Sequence, residues 1–266
     1  MSRRENPRHW RLLNATRLDA IPAALAHGRT RANADARALA GADWLIRRKD
    51  DGHFLALRRG DRLLPLFRNA VPFAMASDLT LLAASAANPG ALRPLGDLAT
   101  HLDELGLDTD AYAGRSGLPL VAEPCSLAFA GFDRYRRPLW LTDEAAAAWR
   151  DLQHSAREHG LALDAISGYR SHAYQLGIFR RKRERGLSVD EILAVNAAPG
   201  FSEHHSGNAL DIGTPGEPPA EESFEHSAAF AWLCDNAERF GFRLSYPRDN
   251  PHGIVYEPWH WCWSPA

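Results

Sequence analysis

The segment Ser202–Asp211 constrains the fold more than any other part of this 266-residue chain. It contains a histidine, His204, and an aspartate, Asp211, whose odd separation would place them on opposite faces of one unbroken strand. The intervening Ser206-Gly207-Asn208 is typical of a turn, and a turn allows both side chains to reach one point. We therefore predict a loop that leads into a short strand, Ala209–Ile212, with both side chains directed at a common centre.

A second segment, Glu257-Pro258-Trp259-His260-Trp261, lies near the end of the chain. Pro258 has no N–H to give to a sheet, so we expect Glu257 on the approach to a strand and His260 on the strand itself. Two histidines and one carboxylate form a typical catalytic zinc set, which leaves a fourth position for water. Zinc lowers the pKa of that water, and a free glutamate such as Glu257 takes its proton and passes it to the leaving amine. The pattern predicts a hydrolytic site with one Zn²⁺ per chain.

A third segment, Ser167-Gly168-Tyr169-Arg170-Ser171, follows a predicted strand, Leu161–Ile166. The planar guanidinium of Arg170 is suited to bidentate capture of a carboxylate. Each of the three segments alone has an ordinary structural explanation, such as a surface ion pair or aromatic packing. Their joint occurrence in one half of the chain favours a shared site.

The order Ser-x-His-x-x-Gly-x-Ala-x-Asp, then Glu-x-Trp-His, resembles the VanY-type D-alanyl-D-alanine carboxypeptidases. This metallopeptidase group also includes D-Ala-D-Ala dipeptidases, L,D-carboxypeptidases and some endolysins. The resemblance extends from about Cys125 to Trp263 and includes the Ser-Gly-Tyr-Arg-Ser segment. Cys262 departs from the family, which more often has a long basic residue there, and we expect it to serve only in packing.

The resemblance implies a role for seven residues. By motif register it selects His204 over the adjacent His205 as a metal ligand. The implied zinc ligands are His204, Asp211 and His260, the implied general base is Glu257, and the implied substrate-binding residues are Arg170, Gln175 and Ser202, which hold the terminal carboxylate.

Helices and strands alternate without a strict βαβ order, which predicts an α+β fold. We expect a small, mainly antiparallel sheet flanked by helices and carrying the zinc site, with an additional N-terminal α/β unit. Thr142 is predicted to cap a helix that Gly160 ends. The linker-like Gly114-Arg115-Ser116-Gly117 suggests an N-terminal unit of unknown role, 1–115, and a VanY-like zinc carboxypeptidase domain, 116–266.

Composition excludes several classes of partner. The chain is 45% hydrophobic and 24% charged with a formal net charge of -2, and it has no concentrated basic patch, so we expect no nucleic-acid partner. No apolar stretch is long enough to predict a membrane span. The start, Met1 to Arg8, has basic residues but no apolar signal region, which predicts a cytoplasmic protein if Met1 is the native start and a cell-envelope protein otherwise. The sequence does not predict an oligomeric state.

The resemblance implies a zinc-dependent carboxypeptidase that removes the C-terminal D-alanine from peptidoglycan stem peptides or muropeptides. The motifs do not separate L,D from D,D specificity, although the missing signal region favours the L,D enzyme. Two alternatives remain at this stage. One is an endolysin-like peptidoglycan endopeptidase, and the other is a catalytically silent zinc-holding module that binds cell-wall peptides, which the presence of Glu257 disfavours.

Overall fold

The computed structural model of the chain describes residues 10–25, 37, 39–66, 75–96 and 98–265. The chain divides into two compact units. The first comprises Met1–Arg93 and Pro124–Phe129, and the second comprises Pro94–Glu123 and Ala130–Ala266. Whether 1–115 and 116–266 fold as separate domains, and what the former does, stay predictions.

The first unit is built on an antiparallel sheet. Five strands follow one another along the chain, and each pairs with the next: β1 (Arg11–Asn14), β2 (Leu18–Pro22), β3 (Trp44–Arg48), β4 (Phe54–Arg59) and β5 (Arg62–Pro65). Strand β6 (Ser126–Phe132) returns to pair with β1. Helix α1 (Ala76–Ala87) contributes Leu82 to the same core as Leu18 and Ile46. This matches the expected N-terminal α/β unit.

The second unit contains six helices and five further strands among its described residues. The helices are α2 (Leu98–Glu104), α3 (Thr109–Ser116), α4 (Asp143–Glu158), α5 (His172–Glu184), α6 (Val189–Leu193) and α7 (Ala228–Asn236). The strands are β7 (Pro138–Leu141), β8 (Asp164–Ser167), β9 (Ala209–Gly213), β10 (Phe242–Leu244) and β11 (His260–Trp263). Four of them form an antiparallel sheet in the order β10-β11-β9-β8, which confirms the predicted α+β class.

Polar caps determine where the helices of the second unit begin. The Thr142 side chain accepts a hydrogen bond from the N–H of Ala145 at the start of α4, as the sequence predicts. Gly160 follows the helix with a φ of 74°, and the next N–H closes back onto the last turn. Ser171 caps α5 in the same way, by accepting from Tyr174. Because β8 ends at Ser167 and α5 begins at His172, Arg170 lies in a short connection with little freedom.

A hydrophobic cluster packs α5 and α6 against the segment that precedes His204. Phe179 of α5 and Ile192 of α6 are fully buried against Phe201, and the ring of Tyr112 meets that of Phe201 at 4.9 Å. Tyr246 belongs to the same cluster. Within the described part of the chain, none of the helices combines the length and the apolar composition that a membrane crossing requires.

The close approach of Gly241 to β11 generates a prediction about stability. Gly241 has a φ of 81°, and a Cβ there would lie 2.7 Å from Trp263 Nε1 and 2.9 Å from the carbonyl oxygen of Ser264. Gly216 has a φ of 93°, but a Cβ there would meet nothing within 4 Å. We expect Gly216→Ala to lower the free energy of unfolding by about 1 kcal/mol through backbone strain alone. Gly241→Ala should cost about 1–3 kcal/mol more, because crowding adds to that strain.

Urea unfolding followed by circular dichroism measures both losses. Equal losses for Gly241→Ala and Gly216→Ala would contradict the close packing of Gly241 against the strand.

Candidate active site

The turn before β9 brings His204 and Asp211 together as the sequence predicts. His204 lies in a single 3-10 turn, Glu203–Ser206, which Gly207 ends with a left-handed φ of 75°. The N–H of Gly207 donates to the carbonyl oxygen of His204, so the chain reverses before β9 begins. Asp211 then lies at the centre of that strand.

Antiparallel pairing supplies the third member of the cluster. Strand β11 pairs with β9 in a register that places His260 directly opposite Asp211. Glu257 precedes the strand, and its carbonyl oxygen accepts from the N–H of His260 at 3.1 Å. The expected arrangement, with Glu257 on the approach and His260 on the strand, is therefore present.

Three buried side chains form a donor set suited to a metal ion. One ligand atom from each of His204, Asp211 and His260 lies within 4.8 Å of the others. Asp211 Oδ1 is 3.2 Å from His204 Nε2 and 3.2 Å from His260 Nδ1. All three side chains are buried, so a cation bound between them would be shielded from solvent.

The outer nitrogens of both histidines are already engaged. His204 Nδ1 donates to the carbonyl oxygen of Gly168 at 2.7 Å, and His260 Nε2 donates to Glu203 Oε2 at 3.0 Å. In the neutral rings that a metal ion requires, these acceptors select the tautomers in which His204 Nε2 and His260 Nδ1 carry their lone pairs toward the centre. Outer contacts of this kind orient metal-binding histidines and raise their basicity. Two imidazoles and one carboxylate, held in this way, fit a zinc ion with a fourth position left open.

Glu203 is the functional candidate that the sequence analysis missed. Burial alone would raise its pKa, but the hydrogen bond and charge of His260 lower it to about 2, so the carboxylate stays ionised. Arg243 Nη2 also lies 3.4 Å from Glu203 Oε1. Its position between Ser202 and His204 was visible in the sequence, but only the register of β11 shows that it contacts His260.

The electrostatics of the cluster favour positive charge at its centre. Burial, and then the charge of Arg170, lower the pKa of His204 to about 4. Burial also disfavours the charged form of His260, but hydrogen bonds to Asp211 and Glu203 raise its pKa to about 10. Burial opposes ionisation of Asp211 as well, yet His204 holds its pKa well below the usual range. The ionised Asp211 carboxylate thus lies at the position that a cation would occupy, and the ionised Glu203 carboxylate lies on the outer side of His260.

Glu257 lies beside the cluster as a fourth acidic group. Its Oε2 is 3.7 Å from His260 Nδ1, and its side chain is 13% exposed. Burial raises the pKa of Glu257 to about 7, although the nearby His260 opposes this shift. A carboxyl group with a pKa near neutrality can both accept and release a proton at physiological pH.

Arg170 extends into the same region from the connection before α5. Its Nη2 is 3.5 Å from Asp211 Oδ2. Its Nε is buried and has no hydrogen-bond acceptor among the residues that the structure describes. A buried guanidinium N–H without a partner is costly, so this group is available for an anionic ligand.

His205 points away from the candidate metal ligands and forms a hydrogen bond to the connection that contains Arg170. Its Nδ1 donates to the carbonyl oxygen of Arg170 at 2.7 Å, and its Nε2 accepts from the N–H of Gly200 at 3.0 Å. Burial, and then the charge of His172, lower the pKa of His205 to about 3, so the ring stays neutral. The adjacent histidines therefore occupy different positions, one in the cluster and one in the scaffold.

Glu123 is a second residue that the sequence analysis did not find. It is buried, accepts from the Tyr169 hydroxyl, and accepts from the N–H of His172 at 2.8 Å. Tyr169 and His172 flank the Arg170 connection on both sides. A carboxylate so far away in the sequence gave no local signal of this contact.

A cavity of about 340 Å³ lies over these groups. The structure places all seven predicted site residues on its wall: Arg170, Gln175, Ser202, His204, Asp211, Glu257 and His260. Gln175 Nε2 donates to the carbonyl oxygen of Ala197 at 3.1 Å, while its Oε1 is buried without a partner among the described residues. The wall also includes Tyr246, whose ring centroid is 4.7 Å from that of His260. The catalytic and binding roles of the seven residues stay predictions.

Comparison with known proteins places this site in a family context. Residues 138–266 match the family model of VanY, D-alanyl-D-alanine carboxypeptidase. The putative carboxypeptidase YodJ of Bacillus subtilis (strain 168) is 35% identical over 155 residues, which cover 54% of this chain and 55% of YodJ. The bifunctional D-Ala-D-Ala dipeptidase and carboxypeptidase VanXYC of Enterococcus gallinarum is 33% identical over 146 residues, covering 52% of this chain and 73% of VanXYC.

A D-alanyl-D-alanine carboxypeptidase of Enterococcus faecium is 37% identical over 100 residues, which cover 36% of this chain and 31% of that protein. The chain thus spans about half the length of YodJ and less of the Enterococcus faecium enzyme. A solved structure of the LdcB LD-carboxypeptidase is 33% identical, covers 47% of this chain and 59% of LdcB, and has a TM-score of 0.44. A mutant of the vancomycin-resistance D,D-pentapeptidase VanY in complex with Zn(II) is 29% identical, with coverages of 47% and 72% and a TM-score of 0.39.

The contact between Glu203 and His260 generates a prediction about metal affinity. Glu203→Gln keeps the size of the side chain but replaces the ionised acceptor of His260 Nε2 with a neutral one. We expect the affinity for Zn²⁺ to fall by about 10–100-fold, as is typical when an outer carboxylate is lost. Competition with a chromogenic chelator at fixed pH measures this change.

Glu158→Gln is the matched control, because Glu158 lies exposed on α4 and its side chain is 63% accessible. Its affinity for Zn²⁺ should equal that of the wild type. An unchanged affinity in Glu203→Gln would show that His260 does not depend on this carboxylate.

Proposed function

Because this chain belongs to the VanY family of D-alanyl-D-alanine carboxypeptidases, we propose that it is a zinc-dependent carboxypeptidase that removes the terminal D-alanine of peptidoglycan stem peptides. One observation carries the proposal. The buried His204, Asp211 and His260 cluster shares a single cavity with a carboxyl group of near-neutral pKa, Glu257, and a guanidinium with a free N–H, Arg170.

His204 Nε2, Asp211 Oδ1 and His260 Nδ1 would hold the ion. When bound, zinc supplies Lewis acidity that lowers the pKa of a water and polarises the scissile carbonyl. Gly168 and Glu203 keep both imidazoles in the tautomers that this requires. Burial of the cluster keeps bulk water away, which strengthens every charge interaction within it.

Glu257 acts as the general base and then as the general acid. Its carboxylate takes a proton from the water that attacks the peptide carbonyl and later gives that proton to the departing D-alanine amine. A pKa near 7 suits both halves of this cycle, because neither the loss nor the gain of the proton is strongly uphill. The 13% exposure of its side chain leaves it in contact with the cavity rather than with bulk solvent.

Arg170 binds the terminal carboxylate of the peptide. Its unpartnered Nε and its Nη2 form a planar pair of donors that match two carboxylate oxygens. Gln175 has one amide hydrogen engaged by Ala197 and a free Oε1 that can accept a peptide N–H. Ser202, at the entrance to the 3-10 turn, adds a hydroxyl donor on the same wall. A clamp for a free carboxylate distinguishes a carboxypeptidase from an endopeptidase, which has no such need.

The first test follows D-alanine release by mass spectrometry from free stem tetrapeptides and pentapeptides. We expect zinc-loaded protein to release D-alanine and a chelator to abolish the release, and the preferred stem identifies an L,D or a D,D enzyme. Glu257→Gln should bind Zn²⁺ normally but lose about 10²–10⁴-fold in turnover, because it lacks the proton carrier. Glu158→Gln should match the wild type in both measurements.

Two outcomes would contradict the proposal. Digestion of intact sacculi without any release from free stems would indicate an endopeptidase. Zero turnover of every substrate by both the wild type and Glu257→Gln, with zinc bound in each, would indicate a silent binding module.

The second test concerns Arg170 and uses a pair of peptides that differ only in a free or an amidated C-terminal carboxyl group. Wild-type protein should prefer the free acid by at least about 10–100-fold in kcat/KM, the value of a charge-assisted hydrogen-bond pair. Arg170→Gln should raise the KM of the free-acid peptide and make the kcat/KM values of the two peptides nearly equal. Retention of the preference in Arg170→Gln, with zinc content unchanged, would exclude Arg170 as the carboxylate clamp.

A further inference from the structure

The cavity has a second cation at some distance from the metal cluster. Lys182 lies on α5 and lines the same wall as Gln175. The two residues are seven positions apart, so they share one face of the helix. Two helical turns separate them by about 10 Å along the axis. Lys182 therefore marks the part of the cavity that lies away from Arg170 and the metal ligands.

Away from the cluster of His204, Asp211 and His260, the described residues on the cavity wall include a positive charge, Lys182, and no negative one. Among the described residues that line the cavity, the carboxylates are Asp211 and Glu257, and both lie beside His260. Lys182 is half-buried, and no carboxylate of the described ranges lies within 4.0 Å of its ammonium group. Burial, and then the charge of Arg185, lower the pKa of Lys182. A carboxylate brought by a ligand would oppose that shift and provide the missing partner.

Apolar side chains line part of the same cavity wall. Val195, Ile254 and Val255 line the cavity, and Val195 and Val255 are 44% and 43% exposed. Exposed valines of this kind can pack against the methylene groups of a long side chain. A ligand group that joins a methylene stem to a terminal carboxylate matches both the apolar side chains and the cation of this cavity.

We propose that Lys182 determines substrate specificity by binding a second carboxylate of the stem peptide, about 10 Å from the Gln175 end of the cavity. This inference rests on the proposed function and refines it. In the stem tetrapeptide, the residue before the terminal D-alanine is a diamino acid, whose side chain ends either in an ammonium group alone, as in lysine, or in an ammonium and a carboxylate, as in diaminopimelate. Lys182 attracts the carboxylate form and repels the lysine ammonium.

The reach of the peptide agrees with this placement. An extended chain advances about 3.3–3.6 Å per residue, so about 10 Å corresponds to three residues. A diaminopimelate side chain extends about 7 Å beyond its own Cα, roughly the length of two residues, so its carboxylate lies about 10 Å from the Cα of the terminal D-alanine. The backbone that leads to the free α-carboxylate of the preceding γ-linked glutamate has a similar reach. Both sources present the same chemistry, a free carboxylate, and peptides distinguish them.

The test measures peptide affinity by calorimetry in zinc-loaded Glu257→Gln protein, in which peptides bind without being turned over. Four tetrapeptides combine diaminopimelate or lysine with a free or an amidated glutamate α-carboxyl group. We expect loss of the carboxylate that Lys182 binds to weaken affinity by about 10–100-fold, as for a charged hydrogen bond. The arm in which this loss appears identifies the source as the diamino acid or the glutamate.

Substitutions of Lys182 then assign the preference. Lys182→Gln should reduce to about one the ratio of affinities between the peptide with that carboxylate and the peptide without it. Lys182→Glu should invert this ratio in favour of the lysine-containing or amidated peptide. Arg183→Gln is the matched control, because Arg183 is an exposed neighbour on α5 and the change removes the same charge. It should leave the ratio unchanged.

Equal affinities for all four peptides, or a preference that survives in Lys182→Gln, would overturn the assignment. Release of D-alanine from the same peptides by wild-type protein is measured in parallel. Absence of release together with a Lys182-dependent preference would refute the carboxypeptidase proposal alone. Release without that preference would refute the role of Lys182 alone.

Discussion

The antiparallel pairing of β9 with β11 is the interaction on which the candidate site depends. It places Asp211 and His260 directly opposite one another, at residues whose side chains leave the same face of the sheet. A slip of one residue would move His260 to the other face, because side chains alternate along a strand. The hydrogen bonds between β9 and β11 therefore fix the relative positions of these two candidate metal ligands.

Charged and polar contacts outside the cluster orient the side chains that the paired strands bring together. The carbonyl oxygen of Gly168 and the carboxylate of Glu203 each orient one imidazole. A Cβ on Gly168 would lie 2.6 Å from Leu139 Cδ1 and 3.2 Å from the carbonyl oxygen of Trp140, so the chain packs closely against β7 at this glycine. The contacts come from three separate segments of sequence. The site is thus preorganised by the fold and does not depend on the ion alone for its geometry.

Much of the arrangement follows from local sequence signals. The turn chemistry of Ser206-Gly207-Asn208, the missing donor of Pro258 and the Thr142 cap each act over a few residues, and the structure shows all three in the predicted places. The antiparallel α+β class follows from the alternation of such elements.

Other features depend on contacts between distant segments, which no local pattern encodes. Glu203 looks like an ordinary surface glutamate until β11 pairs with β9, and Glu123 reaches Tyr169 across 46 positions of sequence. Lys182 belongs to a basic run at the end of α5 that resembles a solvated face. Only the folded chain shows that one of its members turns toward the cavity.

The adjacent histidines His204 and His205 affect the distance between Arg170 and the candidate metal ligands. The backbone N–H of Arg170 donates to the carbonyl oxygen of His204 at 3.2 Å, and its carbonyl oxygen accepts from the His205 ring. The backbone of the residue that would hold a chain terminus is therefore hydrogen-bonded once to His204, which would hold the ion, and once to its neighbour His205. These bonds hold the backbone of Arg170 at one distance from His204, so the length of the terminal segment that fits between them depends on the extension of the Arg170 side chain.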